Sequence, residues 1–150
     1  MPGMTYRRAC VLGAAAVVGL CTSATAQTRT FAARLSVVPI TVAMQDSVAG
    51  RGAATAVLTG NRLTIDGTFE GLRSPATTAR LHVAPRALRG PAIADLAVSG
   101  TTRGTLKGAV ELNDEERGAL EKLSLYVQIN SEKAPEGNLW GWLFPQEVKR

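Results

Sequence analysis

Apolar and polar residues alternate with a period of two along most of the chain, the signature of half-buried strands. The clearest run is 123–131, where Leu123, Leu125, Val127 and Ile129 fall on one face and Tyr126, Gln128 and Asn130 on the other. The same alternation sets Ala79, Leu81 and Val83 against Arg80 and His82, and Leu63, Ile65 and Gly67 against Thr64, Asp66 and Thr68. Further strands are predicted over 30–38, ended or edged by Pro39, and over 54–59, 93–98, 105–112 and 138–144, the last ended by Pro145. Gly60-Asn61 is a compact hairpin turn, and 40–50, 85–91 and 132–137 read as loops.

The period changes once. Asn113 is an N-cap and Glu116, three residues on, completes a capping box, with Asp114 and Glu115 suited to the positive start of a helix. That helix runs to about Lys122, with Leu120 and Leu123 facing inward. Many short strands and one small helix predict an all-β fold. The expected form is an antiparallel, Greek-key-like β-sandwich or barrel with one short helix before the penultimate strand.

The first residues are expected to lie outside this domain. Arg7 and Arg8 precede an apolar run, Val11 to Leu20, and Ala24-Thr25-Ala26 offers small residues for cleavage. This predicts a signal peptide over 1–26, a mature domain over 27–150, and a periplasmic or secreted location. No membrane span is expected after cleavage, because the apolar run is short for a bilayer. Cleavage also removes Cys10 and Cys21, leaving a thiol-free domain held by its core alone. The formal charge of +5 falls to +3 with the loss of Arg7 and Arg8. The basic residues are scattered, so nucleic acid is not an expected partner.

Little in the chain points to chemistry. Gly50-Arg51-Gly52 has glycine-loop spacing but leads into a strand, where no helix start is available to cradle a phosphate. His82 is the sole histidine and hence the sole side chain suited to general-base work near neutrality. No Gly-x-Ser-x-Gly elbow accompanies it, and Asp66, Glu70 and Glu111 read as strand carboxylates without a marked pair. An enzyme is therefore not expected, and no cofactor is implied.

Several motifs in order resemble the CHRD domain, the module named from chordin that also occurs alone in exported bacterial proteins. They are Phe31 to Leu35, Phe69-Glu70-Gly71-Leu72, Ala79-Arg80-Leu81-His82, Tyr126-Val127-Gln128-Ile129-Asn130 and Gly137-Asn138-Leu139-Trp140-Gly141. The family's histidine pair on one strand is similar to the copper-binding strand of Cu/Zn superoxide dismutases. Here Arg80 stands at the first of those positions, and Asn130 replaces a later histidine. His82 is thus the only candidate metal ligand, and no metal is favoured.

The resemblance, carried strand by strand, places Arg80, His82, Tyr126, Asn130, Trp140 and Trp142 on corresponding faces. Trp, Tyr and Arg dominate interface hot spots. The leading expectation is a non-enzymatic binding or assembly module with an unidentified protein partner, using this face and with Arg80 able to stack on a tryptophan. The alternative is a degenerate copper- or zinc-binding protein of dismutase-like architecture. Against the binding face stands the plain reading that Trp140 and Trp142 cover the sandwich or pack beneath the helix.

Overall fold

The computed structural model describes residues 25–147. The predicted signal peptide therefore falls outside the described residues except at its last two positions. Nine strands and one helix follow in order: β1 (Thr28–Val37), β2 (Arg51–Thr59), β3 (Arg62–Glu70), β4 (Ala76–Val83), β5 (Ala92–Val98), β6 (Gly104–Glu111), α1 (Asp114–Glu121), β7 (Leu125–Ser131), β8 (Ala134–Trp142) and β9 (Phe144–Pro145). Neighbours run β2-β3-β6-β5-β4-β7-β8-β1, every pair antiparallel, and β1 returns to β2. The result is a closed eight-stranded barrel with β9 added beside β1, and it has one short helix before the penultimate strand, as the periodicity predicts.

The barrel is flattened, because two of its seams are short. β5 meets β6 only at Ala97–Lys107 and Val98–Leu106, and β1 meets β8 only at Ser36–Trp140 and Val37–Leu139. Between these seams lie two well-paired sheets, which accounts for the sandwich-like motif order. Their facing sides supply the core. Phe31, Leu35, Ala56, Leu63, Ile65 and Leu106 come from one sheet, and Leu81, Leu125, Val127, Ile129 and Leu139 from the other. Leu120 of α1 is fully buried in the same core, so the helix packs directly on the barrel.

The capping box is formed in both directions: Asn113 Oδ1 accepts from the Glu116 amide at 2.8 Å, and Glu116 accepts from the Asn113 amide at 2.9 Å. The far end of the helix differs from expectation. Leu123 neither faces inward as a core residue nor starts β7; it takes φ 58° and closes the helix. Its amide bonds to the Leu120 carbonyl and that of Ser124 to the Ala119 carbonyl, a Schellman arrangement with leucine where glycine is usual. Strand ends also shift. β2 starts at Arg51, so the glycine-loop spacing belongs to a strand, and β8 starts at Ala134 after a tight turn opposite Ser131. Pro145 does not end the last strand, because Phe144 and Pro145 form a separate strand on β1.

Candidate functional site

Strand register brings most of the sequence-predicted residues together on the outer side of one sheet. One cross-strand row runs Ser36, Trp140, Gln128, Arg80, Asp95, and the next runs Trp142, Tyr126, His82. Neighbours within a row stand close enough for their side chains to interact. The Tyr126 ring stacks on His82 at 4.9 Å between centroids, meets Trp142 at 4.6 Å, and takes the edge of Trp140 at 5.9 Å. Trp140 and Trp142 lie edge-to-face at 4.8 Å.

These rings do not form an open surface. Trp140 is 8% exposed, Trp142 7% and Tyr126 0%. They make a second apolar cluster outside the barrel, roofed by Val38, Val48 and Ala84, with Met44 packed against it. The roof comes from the segments 38–50 and 84–91; the sequence reads 40–50 and 85–91 as loops but places Val38 on the first strand, which ends at Val37. Segment 38–50 carries a 3-10 turn at Val42–Met44, and 84–91 is strapped down by polar contacts. Trp142 Nε1 donates to the Ala84 carbonyl at 3.0 Å, the Gly90 amide donates to the Tyr126 hydroxyl at 3.0 Å, and His82 Nδ1 donates to the Gly90 carbonyl at 2.9 Å. Gly90 has no substitute there, since a Cβ would sit 1.9 Å from the Val83 carbonyl oxygen. The tryptophans are thus buried under these loops rather than beneath α1. A buried indole at about 25 cal/mol per Å² stabilises by about 4–6 kcal/mol, so the rings hold the fold rather than wait for a partner.

The polar members separate from the rings. Arg80 does not stack on a tryptophan; its Nε donates to Asp95 Oδ1 at 2.8 Å across to β5. The guanidinium over Trp140 belongs to Arg89, 5.8 Å from the ring centroid, and Arg89 also bonds the Glu136 carbonyl. Asn130 accepts from Gln128 Nε2 at 2.9 Å, and that nitrogen also reaches the Glu136 carbonyl at 3.3 Å. The Gly90 bond leaves His82 only Nε2 with which to bind a metal. Among the described residues, no group of three His, Cys, Asp or Glu side chains is placed to hold an ion. Two of the three strand carboxylates meet arginines: Glu70 pairs with Arg51 at 2.7 Å and Glu111 with Arg62 at 3.4 Å. The Arg51 bond holds the Glu70 carboxyl below its usual range, and Arg103 nearby adds to the effect.

The aromatic cluster reaches solvent along one groove of about 500 Å³, lined by Arg34, Ser36, Arg86, Ala87, Trp140, Gly141, Trp142 and Phe144. It lies at the short seam where β1 passes from pairing with β2 to pairing with β8. At Gly141 the two strands come so close that a Cβ would stand 2.4 Å from the Arg34 carbonyl oxygen. Phe144 is 36% exposed and carries the Arg86 guanidinium 5.4 Å from its centroid. Arg34, Arg86 and Phe144 stand outside the sequence-predicted set. Phe144 directly follows the Trp140–Leu143 run, but nothing local to Arg34 or Arg86 marks them.

A family model, the CHRD domain, matches residues 31–143. No curated protein and no solved structure matches the chain.

Proposed function

The chain belongs to the CHRD domain family, and from that premise we propose that it is an exported, non-enzymatic binding module that takes a protein partner in the groove beside Phe144. The observation that carries this reading is the groove itself. In it the buried aromatic cluster meets solvent, and it joins aromatic walls to arginines, the side chains that dominate interface hot spots. The rings behind it are clamped from several sides, so the groove is preformed and little ordering is needed on binding. The pairing of Glu70, Glu111 and Asp95 with arginines supports a module without acid–base machinery, as is general for the family. Nothing in the surroundings of His82 favours the copper or zinc alternative.

The test is site-specific photocrosslinking in the native host. A photoreactive phenylalanine analogue at Phe144 should yield a discrete adduct that the same group at Thr64 on β3, three strands from β9, does not. Equal adducts from both positions, or none from Phe144, would remove the groove as the contact surface. For export, the protein recovered outside the cytoplasm should begin at Gln27; recovery only as the uncleaved chain in the cytoplasm would end that part of the reading.

A further inference from the structure

Three grooves on the surface join end to end, and together they point to the chemistry of a partner. The groove at Phe144 shares Arg34 with a neighbour of about 290 Å³, which also contains Arg51 and Glu70. That neighbour shares Arg51 and Glu70 with a third of about 450 Å³, which ends at Arg103. Arg34, Arg51 and Glu70 sit on the adjacent strands β1, β2 and β3, and Arg103 immediately precedes β6, the next strand round the barrel. At the usual strand spacing these four strands span about 15 Å, the length of four or five residues of extended chain.

Charge along this track is one-sided. Arg86, Arg34, Arg51 and Arg103 face a single carboxylate, Glu70, which is taken by Arg51. Among the described residues Arg34 and Arg103 have no ion-pair or side-chain hydrogen-bond partner, and Arg86 is held only over the Phe144 ring. Elsewhere on the strands the pattern is the reverse, with Arg62 and Arg80 each matched to its own carboxylate. Guanidinium groups present a fork that fits carboxylates in two parallel bonds. At the Phe144 end, the groove adds apolar walls from Trp140, Trp142 and Phe144.

We propose that the track from Phe144 to Arg103 binds an extended acidic segment of a protein partner, its carboxylates on Arg34 and Arg103 and an apolar side chain against Phe144. The assignment rests on the binding-module reading and names the partner chemistry. A peptide fits better than a polysaccharide because one end of the track is apolar. Single-stranded nucleic acid fits less well, since the track from Arg34 to Arg103 is lined by one aromatic ring, the buried Phe69, and successive bases need exposed rings to stack on.

The experiment is fluorescence anisotropy on the mature protein with a short labelled Glu/Leu peptide, its Gln/Leu counterpart, and polygalacturonate as competitor. The acidic peptide should bind, weaken as salt rises, and bind at least about tenfold more tightly than the Gln form. Arg34→Glu should lower its affinity by at least about tenfold, whereas Lys133→Glu, an equal charge change in the β7–β8 turn of the other sheet, should not. Thermal melts of both variants establish that they fold. Equal losses in the two variants, no preference over the Gln peptide, or displacement by polygalacturonate at matched carboxylate concentration would overturn the assignment. A discrete Phe144 adduct alongside no peptide binding would end the acidic assignment and leave the binding module standing; absence of both would end both.

Discussion

Among the described residues, Tyr126 carries several separate duties at once. It stacks on His82, packs both tryptophans, and accepts the Gly90 amide through its hydroxyl. Tyr126→Phe keeps the ring and removes the hydroxyl, so it should cost about 1–3 kcal/mol by leaving the Gly90 amide without that partner. Hydrogen exchange should show the loss concentrated at 84–91, and a loss spread evenly over the barrel would contradict the strap. Leu123 works in the opposite sense. Its left-handed backbone costs a leucine about 1 kcal/mol or more, and its side chain is not among those packed on the core. Leu123→Gly should therefore raise stability by about 1 kcal/mol, seen as a higher denaturant midpoint. The alternation that made Leu123 look like the first inward residue of β7 is real in the sequence. It misleads because helix closure is decided by backbone bonds from Ser124 and Leu123, which leave no mark in hydrophobicity.

Among the elements, α1 was legible nearly to its end because its start is written in adjacent residues. Asn113→Ala should cost about 1 kcal/mol in a thermal or denaturant melt, since it leaves the Glu116 amide uncapped. The β2–β3 pair carries a pH signature. Glu70's carboxyl is held below its ordinary range in the folded protein, first by the hydrogen bond from Arg51 and then by its charge. A depressed folded-state pKa gives stability that is present above the unfolded-state value and lost as pH falls through the folded one. Glu70→Gln should therefore flatten the acid limb of the melting-temperature profile while leaving its alkaline limb unchanged. The effect should be small, because both partners are well exposed. The loops are the elements the sequence hid. Met44 and Val48 have neither strand nor helix spacing, and Val38 reads as the end of the first strand, since all three cover a cluster from an irregular chain.

For the whole molecule, two apolar clusters of unequal rank share one sheet. Leu81, fully buried, points into the barrel, and Leu81→Ala should lower unfolding free energy by about 2–5 kcal/mol in a single cooperative transition. Val48→Ala should instead loosen 38–50 locally, with faster amide exchange there and little change in the barrel strands. The amino-acid sequence by itself determined the strand alternation, the helix start, the family and which side chains share a face. All of these depend on neighbours in the chain or on motif order. Tertiary structure alone decided that Tyr126, Trp140 and Trp142 are roofed rather than open, that Arg89 instead of Arg80 lies over Trp140, and that Arg34, Arg86 and Phe144 line the groove. Alternation tells which side of a sheet a residue occupies; what covers that side comes from segments distant along the chain, and no local pattern encodes their approach.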